Sequence, residues 1–63
     1  LAMSVNQYIT AERIERARQL LRRGESVDSV SEQCGFSDSG YFIRVFRRYE
    51  QMTPLQYKRK AKE

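Results

Sequence analysis

The sequence has no histidine and a single cysteine, Cys34. Without histidine the chain lacks the commonest general base and the commonest metal ligand. One cysteine cannot close an internal disulfide, and no paired Cys/His spacing suggests zinc. No apolar run approaches the roughly 20 residues of a membrane span, and no signal peptide is visible. These absences exclude a structural zinc module and a membrane anchor within this sequence. They leave an enzymatic reading without a catalytic constellation, so no cofactor or metal is expected. The strand signal of alternating apolar residues is absent too, as are internal repeats and linkers. The 63 residues suffice for one domain. A domain this small buries only about 60% of the surface its unfolded chain exposes.

Charge is abundant and unevenly placed. The net charge is +4 and the isoelectric point about 9.6, a balance that suits a polyanionic partner. Between Glu25 and Asp38 lie four acids (Glu25, Asp28, Glu32, Asp38) and no base. Between Ser39 and Lys62 lie seven bases (Arg44, Arg47, Arg48, Lys58, Arg59, Lys60, Lys62) and one acid, Glu50. Positive charge gathered at one end of a chain is an electrostatic footprint.

The periodicity is helical throughout. Ser4 can cap a first helix over about residues 5–23, whose apolar stripe is Ile14, Ala17 and Leu21. Leu20 falls off that stripe on one side. Glu12 and Arg16 stand in the favourable i,i+4 order, and Gly24 is a natural stop. Ser26 caps a short second helix over 27–34, with Asp28 in its first turn. Gly35-Phe36-Ser37 then separates it from a third helix over 38–50, for which Ser37 is the expected cap. Thr53 can cap a last helix over 54–59, with Pro54 at its first position, ahead of a charged tail expected to fray. The expectation is an all-α, four-helix bundle. Its two short helices, joined by a glycine-containing turn, make a helix-turn-helix candidate.

Phe42, Val45, Phe46 and Tyr49 mark one face of the third helix as core, packed on Val30, Cys34 and Ile14. At about 100° per residue, Gly40, Arg44 and Arg47 point the other way, flanked by Ser39 and Ile43. That outward face has little bulk at its start and then a guanidinium, a shape that fits a major groove.

The ordered motifs resemble one family. "ESVDSVSEQCGFSDSGYFIRVFRRYEQMTPLQYKR" is similar to the second helix-turn-helix of the AraC/XylS bacterial transcription activators. The matching features are Val27, Val30, the Gly35-Phe36-Ser37 turn, Tyr41-Phe42, Phe46-Arg47-Arg48, Met52-Thr53-Pro54 and Tyr57. The upstream "YITAERIERARQLL" resembles the long helix that joins that family's two subdomains. The chain thus resembles the C-terminal half of the family's DNA-binding domain, over 1–63 as a single subdomain, with the first helix-turn-helix missing. Three other places depart from the pattern. Ser31 stands where the family has alanine, Ile43 where it has a small polar residue, and Glu50-Gln51 where it has Phe-Gly. The lost glycine suits a left-handed C-terminal turn, so either Gln51 takes a costlier conformation or the helix ends differently.

The resemblance implies sequence-specific binding of double-stranded DNA in a bacterial cytoplasm, with Ser39, Gly40, Ile43 and Arg44 facing bases. Arg44 would reach guanine O6 and N7; its plain alternative is a solvated arginine. Ile43 either meets a thymine methyl or packs at the core's edge. Gly40 either permits close approach to DNA or is neutral near the helix start. Tyr41, Arg47, Arg48 and Ser26 suit phosphates, though Ser26 also has a sufficient role as a cap. The Lys58, Arg59, Lys60 and Lys62 tail adds long-range attraction. In a full-length protein RNA polymerase is a further implied partner. The competing reading is a helical protein-interaction module docking an acidic partner. Val5, Tyr8 and Ile9 should form an orphan apolar patch on the first helix, either covered by a second copy through self-association or left exposed.

Overall fold

A computed structural model describes residues 4–62. It contains four helices: α1 Val5–Arg22, α2 Val27–Gln33, α3 Ser39–Glu50 and α4 Pro54–Lys62. The described residues contain no strand, so the all-α, four-helix expectation holds. Glu63, at the end of the charged tail, lies outside the described residues.

Local chemistry starts each helix. Ser4 opens α1 with a capping box: its hydroxyl accepts from the Gln7 amide at 3.1 Å, and the Gln7 side chain accepts from the Ser4 amide at 3.0 Å. Ser26 accepts from the Ser29 amide at 3.2 Å. Thr53 and Gln56 repeat the box at α4, at 3.2 and 2.9 Å. The cap of α3 is Asp38 and not Ser37. Its carboxylate accepts from the amides of Gly40 and Tyr41 at 3.3 and 3.2 Å. A carboxylate has one oxygen for each amide and a charge that suits the positive end of the helix, and the single neutral hydroxyl of Ser37 has neither.

The helix ends are as specific. After α1, the Gly24 amide donates to the Leu21 carbonyl and the Glu25 amide to the Leu20 carbonyl. After α2, Gly35 and Phe36 donate to Glu32 and Ser31 in the same pattern. These paired bonds need a left-handed residue, supplied by Gly24 at φ 91° and Gly35 at φ 84°. At the end of α3 the left-handed residue is Gln51, at φ 65°. The costlier of the two alternatives is therefore the one adopted. Its side chain donates to the Arg48 carbonyl at 3.3 Å, which offsets part of the cost. Helix α4 continues to Lys62, past residue 59, because no glycine or proline intervenes to stop it.

The core is Ile14, Ala17, Leu20, Leu21, Val30, Cys34, Phe36, Phe42, Val45 and Phe46, with Val27 and Tyr57 packed against it. A file of rings runs through it. Centroids are 5.0 Å apart for Phe36–Phe42, 5.8 Å for Phe42–Phe46 and 5.6 Å for Phe46–Tyr57. Two positions differ from the helical-wheel expectation. Leu20 is buried, because α1 packs against all three other helices and so needs a wider apolar stripe. Tyr49 stays exposed. The inward row on α3 runs Phe42, Phe46, Glu50, the i, i+4, i+8 ridge that crossing helices interdigitate, and it leaves Tyr49 on the rim.

Candidate nucleic-acid interface

The buried row of α3 determines its free face. Phe42, Val45 and Phe46 are buried, while Gly40, Tyr41, Ile43, Arg44, Arg47 and Arg48 are exposed and Ser39 is half-buried. The candidate base-facing residues Ser39, Gly40, Ile43 and Arg44 therefore share one helix and avoid the core. Ile43 keeps 36% of its surface accessible, too much for a core position. An alanine Cβ at Gly40 would meet only the Asp38 carboxylate, at 3.4 Å, an ordinary contact. The chain's own packing does not demand glycine there.

Tyr41 and Arg44 are one helical turn apart, and the Arg44 guanidinium lies 5.9 Å from the Tyr41 ring centroid. The attraction of a cation for the ring face holds the arginine along the helix surface. Their i,i+3 spacing in the sequence carries the signal for this contact.

Arg47 and Arg48 occupy the last turn, where cations complement the helix dipole. Ser26 is exposed at the start of α2, its hydroxyl committed to the cap described above. Beside it, Glu25 accepts from Gln33 at 2.6 Å and from Ser29 at 3.3 Å, which ties the carboxylate to α2. An open groove of about 330 Å³ lies between α2 and the start of α3, lined by Asp28, Ser31, Glu32, Phe36, Ser37 and Ser39. The anionic rim is thus on α2, while the exposed Arg44, Arg47 and Arg48 of α3 offer a polyanion a cationic surface.

Cys34 is buried against the core. Burial pushes its thiol pKa up, against the opposing pull of Arg16 and Arg13. A protonated buried thiol is a small hydrophobe and not a nucleophile. The described residues hold no cluster of three or more potential metal ligands, and none of their helices is long and apolar enough to cross a membrane.

The ion pairs also differ from expectation. Among the described residues they link Arg18 to Glu15 and, at 3.2 Å, to Glu50; Glu12 and Arg16 do not pair. Sequence periodicity within α1 could not show a partner 32 residues away.

Two short capped helices, a glycine-terminated corner between them and a second helix with an apolar inner and cationic outer face define a helix-turn-helix domain. The profile described as "Helix-turn-helix domain" matches residues 1–60, and the chain belongs to this family, of the AraC type. Its relatives are transcription regulators by name. The uncharacterized HTH-type transcriptional regulator YijO of Escherichia coli K12 is 39% identical over 59 residues, covering 92% of this chain and 21% of that protein. The HTH-type transcriptional activator RhaR of Enterobacter sp. strain 638 is 42% identical over 62 residues, covering 97% and 22%. RhaR of Salmonella heidelberg is 46% identical over 57 residues, covering 89% and 20%. The chain therefore spans about a fifth of the length of these relatives. No solved structure matches it.

Proposed function

We propose that the chain binds double-stranded DNA sequence-specifically, as the second helix-turn-helix of a bacterial AraC-type transcription regulator acting in the cytoplasm. Helix α3 enters the major groove. The observation that carries this reading is the division of α3 into a buried face of Phe42, Val45 and Phe46 and an exposed face of Gly40, Ile43, Arg44 and Arg47. The family membership and the names of the relatives support it.

In this reading Arg44 donates to guanine O6 and N7, Ile43 contacts a thymine methyl, and Ser39 and Gly40 let the helix approach the base edges. Tyr41, Arg47, Arg48 and the start of α2 at Ser26 hold phosphates and set the register. No covalent chemistry is involved. Helix α1 joins this unit to the rest of the regulator, whose further partners include RNA polymerase where it acts as an activator.

The test is selection of duplexes from a random pool, followed by titration of the preferred site and a scrambled one. Arg44→Ala should cost about 1–3 kcal/mol on the preferred site and relax preference at one base pair. An Arg44→Ala chain with undiminished discrimination would refute the assignment. Affinity for an acidic protein with none for DNA would favour the interaction-module reading instead.

A further inference from the structure

We infer that Arg18 of α1 and Glu50 of α3 form a tether that sets the direction of α3, which makes both of them positioning residues for DNA recognition. The inference rests on the reading of α3 as the recognition helix.

Glu50 is poorly placed by its position on the helix. It ends α3, where the helix dipole disfavours a carboxylate. The next residue, Gln51, is forced into a left-handed conformation without being glycine. Arg47 and Arg48 are close in sequence, yet Glu50 pairs with neither. Its oxygens accept instead from Arg18 Nη1, at 3.2 and 3.5 Å, across 32 residues of sequence. The Glu50 side chain is only 17% exposed and that of Arg18 33%, so solvent screens the pair less than a surface bridge.

Arg18 is committed to this arrangement. It also pairs with Glu15 one turn back on α1, and its Nε is buried with no acceptor. The cost of that unsatisfied donor has to be offset by the bonds the guanidinium does make, to Glu15 and Glu50. Two carboxylates against one cation leave the cluster with a net negative charge, so Arg18 is the member that holds the other two together.

Geometrically the pair completes the inward row of α3. Phe42 and Phe46 anchor the first two turns in the apolar core, and Glu50 anchors the last turn on α1. Three anchors along one row fix the tilt of the helix as well as its position. Arg44 and Arg47 lie on the surface of that same segment, so the tilt determines where their guanidinium groups point.

Glu50→Ala gives a test with a definite sign. Alanine is the better helix former and removes the dipole conflict, so local effects alone predict a more stable end to α3. Loss of the tether predicts the reverse. Amide hydrogen exchange on the 63-residue chain without DNA should then show several-fold faster exchange from Arg48 to Gln51. Arg18→Ala should produce the same pattern, and the double variant should add little to either single one. In DNA titrations, Glu50→Ala should lower the ratio of preferred-site to scrambled-site affinity by roughly tenfold. Scrambled-site affinity itself should not fall, because the variant is more cationic.

Exchange that is unchanged or slower in Glu50→Ala overturns the tether. Faster exchange with an undiminished affinity ratio overturns its role in positioning. A wild-type chain without sequence preference overturns both that role and the recognition reading of α3, while the exchange measurement still decides on the tether.

Discussion

Replacing Phe46 by alanine removes a ring that packs between Phe42 of α3 and Tyr57 of α4. Phe46 has no exposed surface, and its ring sits between Phe42 at 5.8 Å and Tyr57 at 5.6 Å. Truncating such a phenylalanine costs about 3–5 kcal/mol in lost transfer energy and cavity. A chain of this length has a total stability of only about 3–9 kcal/mol at the usual value per residue. The variant should therefore lose between a third of its stability and all of it. For a domain of this size each kcal/mol lowers the melting temperature by roughly 4–8 °C, so the expected drop exceeds about 12 °C. Circular dichroism at 222 nm during a thermal ramp measures this directly. Phe46→Leu, which keeps most of the apolar volume, should fall between the two. If the alanine variant melted within a few degrees of wild type, Phe46 would not be in the core and the placement of the free face of α3 would fail with it.

Arg47→Ala and Arg48→Ala should weaken binding to all duplexes alike and flatten the dependence of log affinity on log salt by about one unit each; a change in sequence preference would contradict their assignment to phosphates. Gln51→Gly should raise stability by about 1 kcal/mol, read from urea midpoints, because glycine accepts the φ of 65° without the side-chain clash; a fall would show that the Gln51 bond to the Arg48 carbonyl outweighs the strain. The raised pKa of Cys34 means the folded chain holds its proton more tightly than the unfolded chain. Its contribution to stability is present below the ordinary thiol pKa of about 8.5 and is lost as pH rises through the folded value. Cys34→Ala should flatten that alkaline decline, and an identical decline in both chains would refute the linkage.

Much of this protein was legible in its residues. Capping residues act on amides two or three positions away, and glycine acts on its own φ, so the starts of α1, α2 and α4 and the stops at Gly24 and Gly35 are local facts. The apolar period of α3 likewise separates Phe42, Val45 and Phe46 from Gly40, Arg44 and Arg47 without reference to any other helix. The sequence misassigns the cap of α3 to Ser37, because it does not show that the two oxygens of Asp38 each reach one amide, Gly40 and Tyr41.

Only packing decided the remainder. A helical wheel assumes that one direction faces the core, but crossing helices turn that direction along their length. For that reason Leu20 is buried and Tyr49 exposed, and the end of α3 rests on Arg18 through Glu50. Such a pair leaves no periodic trace in sequence, because its partners are neighbours only after α1 and α3 have crossed. The helices and the chemistry of the free face follow from local sequence; the direction in which that face points follows from contacts that exist only in the folded chain.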